Sequence, residues 1–397
     1  MLYLIRNSAW ILAVIFASVG TLNAQSTEFK IEGRPIQVHG FASQGFAISD
    51  GNNFLTMNTR EGSFALTDFG VNISIEITPK LRLGAQLYNR NIGHLGNWHP
   101  ELDWAGVDYK FKDWLGIRAG KVKTVLGLYN DTRDMEFLHT WAILPQSMYP
   151  LDLRASDMAH LGGDLYGTVG LKRLGSLAYT GYLGFEPTDL YGGYIYGLKG
   201  LGANITAFNR TLQGGDLRWN TPVQGLLAGV SYMNQTVHGR GTNQLGLPSD
   251  SKTTKNQTPQ FYIQYQRSAL KLEGEYRRNL QKVLIFDVLA PPELLVDSRS
   301  FYGAATYRLG KRVEIGGYYS RFYLDWADKH SDLGNHIFDK VACIRFDLAS
   351  HWDLKIEGHF MNGYGASEAF RSFYPQDNPQ GFKPGTNLLV LRTGFQF

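Results

Sequence analysis

Apolar and polar residues alternate with a period of two along most of the chain, the pattern of strands whose two faces meet different solvents. Phe261, Ile263 and Tyr265 alternate with Gln260, Gln264 and Gln266. Trp352, Leu354, Ile356, Gly358 and Phe360 share one face, and Asp353, Lys355, Glu357 and His359 share the other. Leu81, Leu83, Ala85 and Leu87 alternate with Arg82, Gln86 and Arg90, and Phe69, Val71, Ile73, Ile75 and Ile77 with Asn72, Ser74 and Glu76. Leu270 and Leu272 alternate with Lys271, Glu273 and Glu275. These segments run to roughly ten residues, against ~5–6 for a strand in a soluble protein. That is the length that crosses a bilayer when tilted by ~45°.

The connections alternate in length too. Thr78-Pro79-Lys80, Lys112-Asp113, Arg173-Leu174-Gly175, Thr221-Pro222-Val223-Gln224, Gly310-Lys311 and Ser350-His351 read as tight turns. Long polar stretches separate them: Arg90 to Glu101, Val125 to Ala159, Thr236 to Thr258, Gln281 to Asp297, Tyr323 to Asn335 and Gly363 to Pro384. Short turns at one end and long loops at the other define a transmembrane antiparallel β-barrel with periplasmic turns and extracellular loops. Eighteen strands can be placed. The pair starting near Tyr191 and Leu201, around Gly197-Leu198-Lys199-Gly200, is the least patterned, and without it sixteen remain. Closure follows from the solvent, because an open edge would leave unpaired backbone groups in hydrocarbon. The expected class is all-β, one barrel of 16–18 strands over residues 25–397.

The first 24 residues have another character. Arg6 precedes the apolar run Ala9 to Ala17, and Leu22-Asn23-Ala24 ends in a small residue. This is the build of a secretory signal peptide cleaved near Ala24. Beyond it no stretch approaches the ~20 apolar residues of a membrane helix.

Composition narrows the function. Aromatics make up 13% of the 397 residues and charged residues 19%, which excludes a disordered chain. A net charge of +4 without a basic stripe gives no footprint for nucleic acid. The single Cys343 rules out an internal disulfide and a cysteine zinc site, and none of the ten histidines has metal-cluster spacing.

Two stretches resemble a known family. Leu389, Leu391, Phe395 and Phe397 share one face and the chain ends on an aromatic, similar to the last strand of Gram-negative outer-membrane porins. Gly120-Lys121-Val122-Lys123-Thr124-Val125-Leu126-Gly127, leading to Leu144-Pro145-Gln146-Ser147-Met148-Tyr149-Pro150, resembles the porin passage from a basic strand end into an inward-folded constriction loop, here residues 125–159. The resemblance implies a water-filled channel for passive transport of small hydrophilic solutes and ions, without cofactor, catalytic residue or metal. The pore-lining candidates it implies are Asp131, Asp134 and Glu136 on the loop, with Arg133 breaking the acidic pattern. On the wall they are Arg82, Arg90, Arg118, Lys271 and Lys355, the last expected to stand in lumen water. Implied partners are outer-membrane lipid and lipopolysaccharide, the solutes, and the barrel-assembly machinery reading Phe397. The implied assembly is a monomer or a homotrimer. Parity is expected to slip at Gly120, because Lys121 and Lys123 follow the lipid-facing Ile117 and Ala119.

A substrate-specific channel is the main alternative, and a barrel enzyme acting on lipid is the lesser one. Ser147, His139 and His160 on or near the long loop are the residues an enzyme would use, with His351 and His359 elsewhere on the wall. The sequence has no Gly-x-Ser-x-Gly elbow and no HExxH pair, so the expectation is a non-enzyme.

Overall fold

The computed structural model describes residues 27–31, 34–154, 157–186, 189–365 and 371–397. The expected signal peptide lies outside the described residues. In chain order the first strands are β1 (Thr27–Ile31), β2 (Arg34–Ser49), β3 (Ser63–Thr78), β4 (Leu81–Ile92), β5 (Glu101–Lys112) and β6 (Leu115–Lys123). Next come β7 (Ala159–Gly170), β8 (Ser176–Glu186), helix α1 (Gly193–Gly200), β9 (Asn204–Asn220), β10 (Leu226–Thr242) and β11 (Pro248–Arg267). The last are β12 (Leu270–Phe286), β13 (Glu293–Arg308), β14 (Val313–Tyr323), β15 (His336–Ala349), β16 (Trp352–Asn362) and β17 (Gly385–Gln396).

Each strand from β2 to β17 pairs antiparallel with the next, and β17 returns to β2, from Leu388 opposite Ser49 to Gln396 opposite Phe41. The barrel therefore closes with sixteen strands. β1 is a seventeenth, outside the ring, which pairs with the far end of β2 from Thr27 opposite Val38 to Ile31 opposite Arg34. β1 and β17 thus lie end to end along β2. The junction is sealed by reciprocal backbone bonds between Gly40 and Phe397, at 3.0 and 2.9 Å. No helix among the described residues is long and apolar enough to cross a membrane.

The lower of the two expected strand counts holds, for a local reason. The segment after Tyr191 is helix α1, and the strands expected near Leu201 and Gly214 are one continuous β9. Two of the expected long loops, Thr236–Thr258 and Gln281–Asp297, are mostly strand, because β10, β11 and β12 run 17, 20 and 17 residues. At ~3.3 Å per residue these strands stand well above the lipid, where the outer face meets water and carries His238, Arg240, Lys252 and Lys255. The six expected tight turns all join consecutive strands, and Ser268-Ala269 makes a seventh between β11 and β12.

Parity holds along the membrane band. Ile73, Leu87, Val107, Leu165, Leu217, Phe261, Ile263, Ile315 and Ile356 are exposed on the outside, where hydrocarbon is the solvent and burial inside would gain them nothing. It also holds at Gly120, contrary to expectation. The β5–β6 register runs unbroken there, and Lys121 stays outward with its ammonium on the Leu102 carbonyl, at 2.7 Å. Gly120 has φ +126°, and a Cβ would collide with the Ala105 carbonyl oxygen, so glycine is required. Only at the end of the strand does Lys123 turn into the lumen.

Candidate functional site: the loop across the lumen

The segment between β6 and β7 folds into the barrel, and nearly every residue from Thr124 to Pro150 is shielded from solvent. Gly127 starts the inward turn with φ +71°, and a side chain there would collide with the Gln260 amide. The loop then meets the wall on three sides.

Against β14–β17 and β2 the contacts are charged. Arg392 donates to the Ala142 carbonyl (2.7 Å), to Ser43 (3.0 and 2.8 Å) and to Asp68 (2.9 Å). Glu357 accepts the Ala142 and Ile143 amides, both at 3.0 Å. Arg345 donates to the carbonyls of Phe137 and His139, at 2.7 and 2.8 Å. Trp141 packs edge-on to Tyr318, with ring centroids 4.9 Å apart.

Against β10–β13 the contacts are mostly phenolic. Tyr149 and Tyr302 donate to Glu275, at 2.5 and 2.9 Å, and the same carboxylate accepts the Leu128 amide at 3.1 Å. Tyr129 donates to Glu273, which also pairs with Lys271 at 3.2 Å. Ser231 accepts the Gly127 amide at 2.9 Å. Against β4 and β5, Gln86 bridges Asp134 (2.6 Å) and Asp103 (2.8 Å), and Arg154 pairs with Asp103 at 2.9 Å while its guanidinium stacks over Tyr88.

The candidate residues divide accordingly. Lys355 has lumen parity but is fully buried: its ammonium reaches the Glu136 carboxylate, the Glu136 carbonyl (2.8 Å) and the Trp141 carbonyl (3.3 Å). The expectation that water solvates it fails, because the loop lies on top of it. Asp134 is likewise buried, in a pair with Lys123 at 2.9 Å. Burial works to raise its pKa, but Lys123 and Arg154 together hold the carboxyl below its usual range. Arg133 points back into the loop, to the Pro150 carbonyl at 2.7 Å and to Asn130, so it supports the loop rather than facing the pore. Arg90 is fully buried beside Asp189 (3.4 Å) and Glu101 (3.7 Å), under the β8–β9 connection.

The remaining four keep some exposure. Arg118 pairs with Asp164 at 2.8 Å and stacks on Tyr166. Lys271 sits over Tyr129, and Arg82 is exposed near the β3–β4 turn with lumen parity. Asp131 is half-buried, and its carbonyl accepts from Lys123 at 3.0 Å. Below the loop, at the periplasmic rim, a cavity of about 350 Å³ is lined by Arg312, Arg345, Asp347, His351 and Asp353 among others.

Sequence reasoning missed Gln86, Asp103, Arg154, Glu275, Glu357 and Arg392 as loop anchors. Inward parity flagged Gln86, Glu275 and Glu357 as polar wall, but period two carries no sign of what lies across the lumen. Of the residues an enzyme would use, neither His139 nor His160 is bonded to Ser147. His139 meets the Thr132 carbonyl at 3.0 Å, and burial pushes its imidazole down to about 3, leaving it neutral. His160 meets the Thr124 hydroxyl at 2.9 Å; the Ser147 carbonyl accepts from Arg371 of the β16–β17 connection at 2.8 Å, and Ser147 lines a pocket with Asp339, which meets His359 at 2.8 Å.

Fold and loop together define a class, the outer-membrane type of closed antiparallel barrel with an interior loop. No protein-family model matches the chain, and no curated protein matches it. Among solved structures it is similar to the anion-selective porin from Comamonas acidovorans, at 11% identity over 92% of this chain and 100% of that one, with a TM-score of 0.55. It is similar to the trimer form of OmpT from Vibrio cholerae at 10% identity, covering 91% and 99% of the two chains, TM-score 0.55. It is also similar to Salmonella typhi OmpF in complex with daunomycin, at 10% identity over 94% and 100%, TM-score 0.56. At such identities the likeness is one of fold.

Proposed function

We propose that the chain is an outer-membrane porin, passing small hydrophilic solutes and ions passively through a lumen that the loop between β6 and β7 narrows. One observation carries the reading: the loop crosses the barrel interior and is fixed to the wall from three directions, while charged groups line the cavity beneath it. Rigid placement of a polar constriction sets pore size and local potential without any bond being made or broken. The porin structures of similar fold support this reading, and the trimer form of OmpT supports a homotrimer as the assembly. Retention of Phe397 at the barrel seam is consistent with its use by the assembly machinery.

A substrate-specific channel is the second reading, favoured by the burial of nearly every loop residue from Thr124 to Pro150 inside the barrel. Purified barrel inserted into planar bilayers should give discrete current steps in salt. A larger solute set then separates the two readings, since a general pore slows solutes by size alone and a specific one saturates with a particular solute. Folded, heat-modifiable barrel that conducts nothing but hydrolyses lipid ester would overturn the proposal.

A further inference from the structure

Three arginines inside the barrel carry charge that no carboxylate takes up. They stand around the turn Pro145–Pro150 of the interior loop, where the Pro145 carbonyl accepts the Met148 and Tyr149 amides, both at 2.9 Å. Arg371, from the β16–β17 connection, donates to the Ser147 carbonyl at 2.8 Å, and its guanidinium lies 4.3 Å from the centre of the Phe322 ring. Arg133, from the loop itself, donates to the Pro150 carbonyl at 2.7 Å. Arg277 approaches from the wall, on β12. Its Nε donates to Gln260 at 2.8 Å, and the Gln260 amide donates at 2.6 Å to Glu275, the carboxylate that Tyr149 also reaches.

Among the described residues none of the three forms an ion pair, and their acceptors are neutral carbonyls and amides. The acids that act on Arg133 and Arg371 at longer range are engaged elsewhere. Asp157 lies 4.0 Å from Arg210, which also meets Glu186 at 3.5 Å. Asp152 accepts the Ser372 amide and the Tyr374 hydroxyl, at 2.6 and 2.8 Å. Burial brings both arginines down to about 10, and Arg277 presses on both in the same direction, yet each keeps its proton at neutral pH. The Arg371 Nε is buried without a partner, and the Nη groups of Arg277 have none among the described residues. A buried charge left without a counter-charge is costly. Three around one turn mark a place that a ligand completes.

A guanidinium presents its N–H donors in a fixed fork that matches the oxygens of a phosphate. A compact oxyanion with two charges accepts from two forks at once and offsets most of the local excess. A chloride brings one charge, and the two charges of a dicarboxylate lie apart. We propose that the lumen holds a phosphate site, where the phosphate group of a small solute sits between Arg277 and Arg371 with the charge of Arg133 behind it. Arg371 comes from the extracellular end of the barrel, so the site stands on the entry side of the channel. The proposal names the solute class for the specific-channel reading above, and it rests on that reading for its role in transport but not for binding.

The test is calorimetric titration of the folded full-length barrel in detergent at about pH 8, above the second phosphate ionisation near ~6. The probes are inorganic phosphate, glycerol 3-phosphate, succinate and chloride. Both phosphates should bind saturably and at least tenfold more tightly than succinate or chloride. Either order between them supports the site, and the tighter one tells free phosphate from an ester as the solute. Arg277→Gln, which gives up only the bond to Gln260, should weaken both phosphates at least tenfold and leave heat-modifiability unchanged. Arg277→Lys, which keeps the charge and loses the fork, should recover part of that loss. Lys80→Gln, in the exposed β3–β4 turn, removes a charge of the same sign and should leave phosphate affinity unchanged. Wild-type protein that takes phosphate no more tightly than chloride overturns the site, whether or not any variant folds. Succinate bound as tightly as phosphate overturns the assignment to a compact oxyanion, and an unchanged affinity in Arg277→Gln overturns the placement. Calorimetry does not depend on conduction, so a barrel that binds phosphate but passes no current would count against the proposed function alone.

Discussion

Replacing Lys355 with methionine tests whether the loop is held by charge. The side chain is fully buried, and the hydrogen-bond acceptors around its ammonium belong to the loop: the Glu136 carboxylate and carbonyl and the Trp141 carbonyl. Removing one partner of a buried pair leaves the other charge uncompensated, which costs about 3–5 kcal/mol. At 1.4 kcal/mol per factor of ten, the balance between docked and released loop moves by roughly two to three and a half powers of ten. Arg392, Glu357 and Arg345 still hold the neighbouring residues 137–143, and the strand ladder is untouched, so the barrel itself should fold. The assay is single-channel current in planar bilayers, where Lys355→Met should produce frequent excursions to higher conductance. Adding Glu136→Leu removes the carboxylate stranded on the loop, while the wall's Asp353, 3.9 Å from the ammonium, keeps its pair with Arg345, and the double variant should return most of the way to quiet current. Quiet current in Lys355→Met, or a double variant as noisy as the single one, would refute the claim that this pair pins the loop.

Ile356→Arg, on the lipid face one residue from Lys355, should destabilise the barrel by roughly 2–4 kcal/mol near the midplane, read from urea unfolding in lipid vesicles; a loss below about 0.5 kcal/mol would contradict its parity. Cysteine tags placed within Tyr323–Asn335, or at Gln380 in the β16–β17 connection, should label on intact cells, whereas tags at Pro79 or Ser350 should not, and the reverse would invert the topology. Deleting Phe397 removes the ring beside Gly40 and both reciprocal backbone bonds, so heat-modifiable barrel in the membrane fraction should fall while export across the inner membrane continues.

The sequence was most legible where one physical constraint acts alone. Within the lipid band, Trp352 to Phe360 must alternate because one side meets hydrocarbon, and the turns at Thr78–Lys80 and Ser350–His351 follow from proline and polar breaks. Above the band the constraint lifts. Polar residues then occupy both faces of β10 and β11, so strand in Thr236–Thr258 reads as loop. The turn at Ser268-Ala269 has neither glycine nor proline and gives no local sign. The site was legible to the level of parity: Lys355 and Glu357 were expected on the lumen face and are there. Whether a lumen residue stands in water or under a loop depends on contacts 219 residues away, as between Lys355 and Glu136, and polar residues suit both situations. Burial of Arg90 was invisible for the same reason, since its cover, including Asp189, comes from the β8–β9 connection.

The seam between β2 and β17 has a consequence for the order of events during assembly. It joins residues nearly 350 positions apart, as in the bond from Arg392 to Ser43, and long-range pairings of this kind come late because the intervening chain must first be ordered. Arg392 is also the residue that grasps the Ala142 carbonyl of the interior loop, and it reaches its seat beside Ser43 and Asp68 only when the first and last strands of the ring have met. Until then the loop lacks one of its strongest holds. A half-built barrel therefore keeps a slack interior, and tightening of the loop around Ala142 would report, from inside, that the ring has shut.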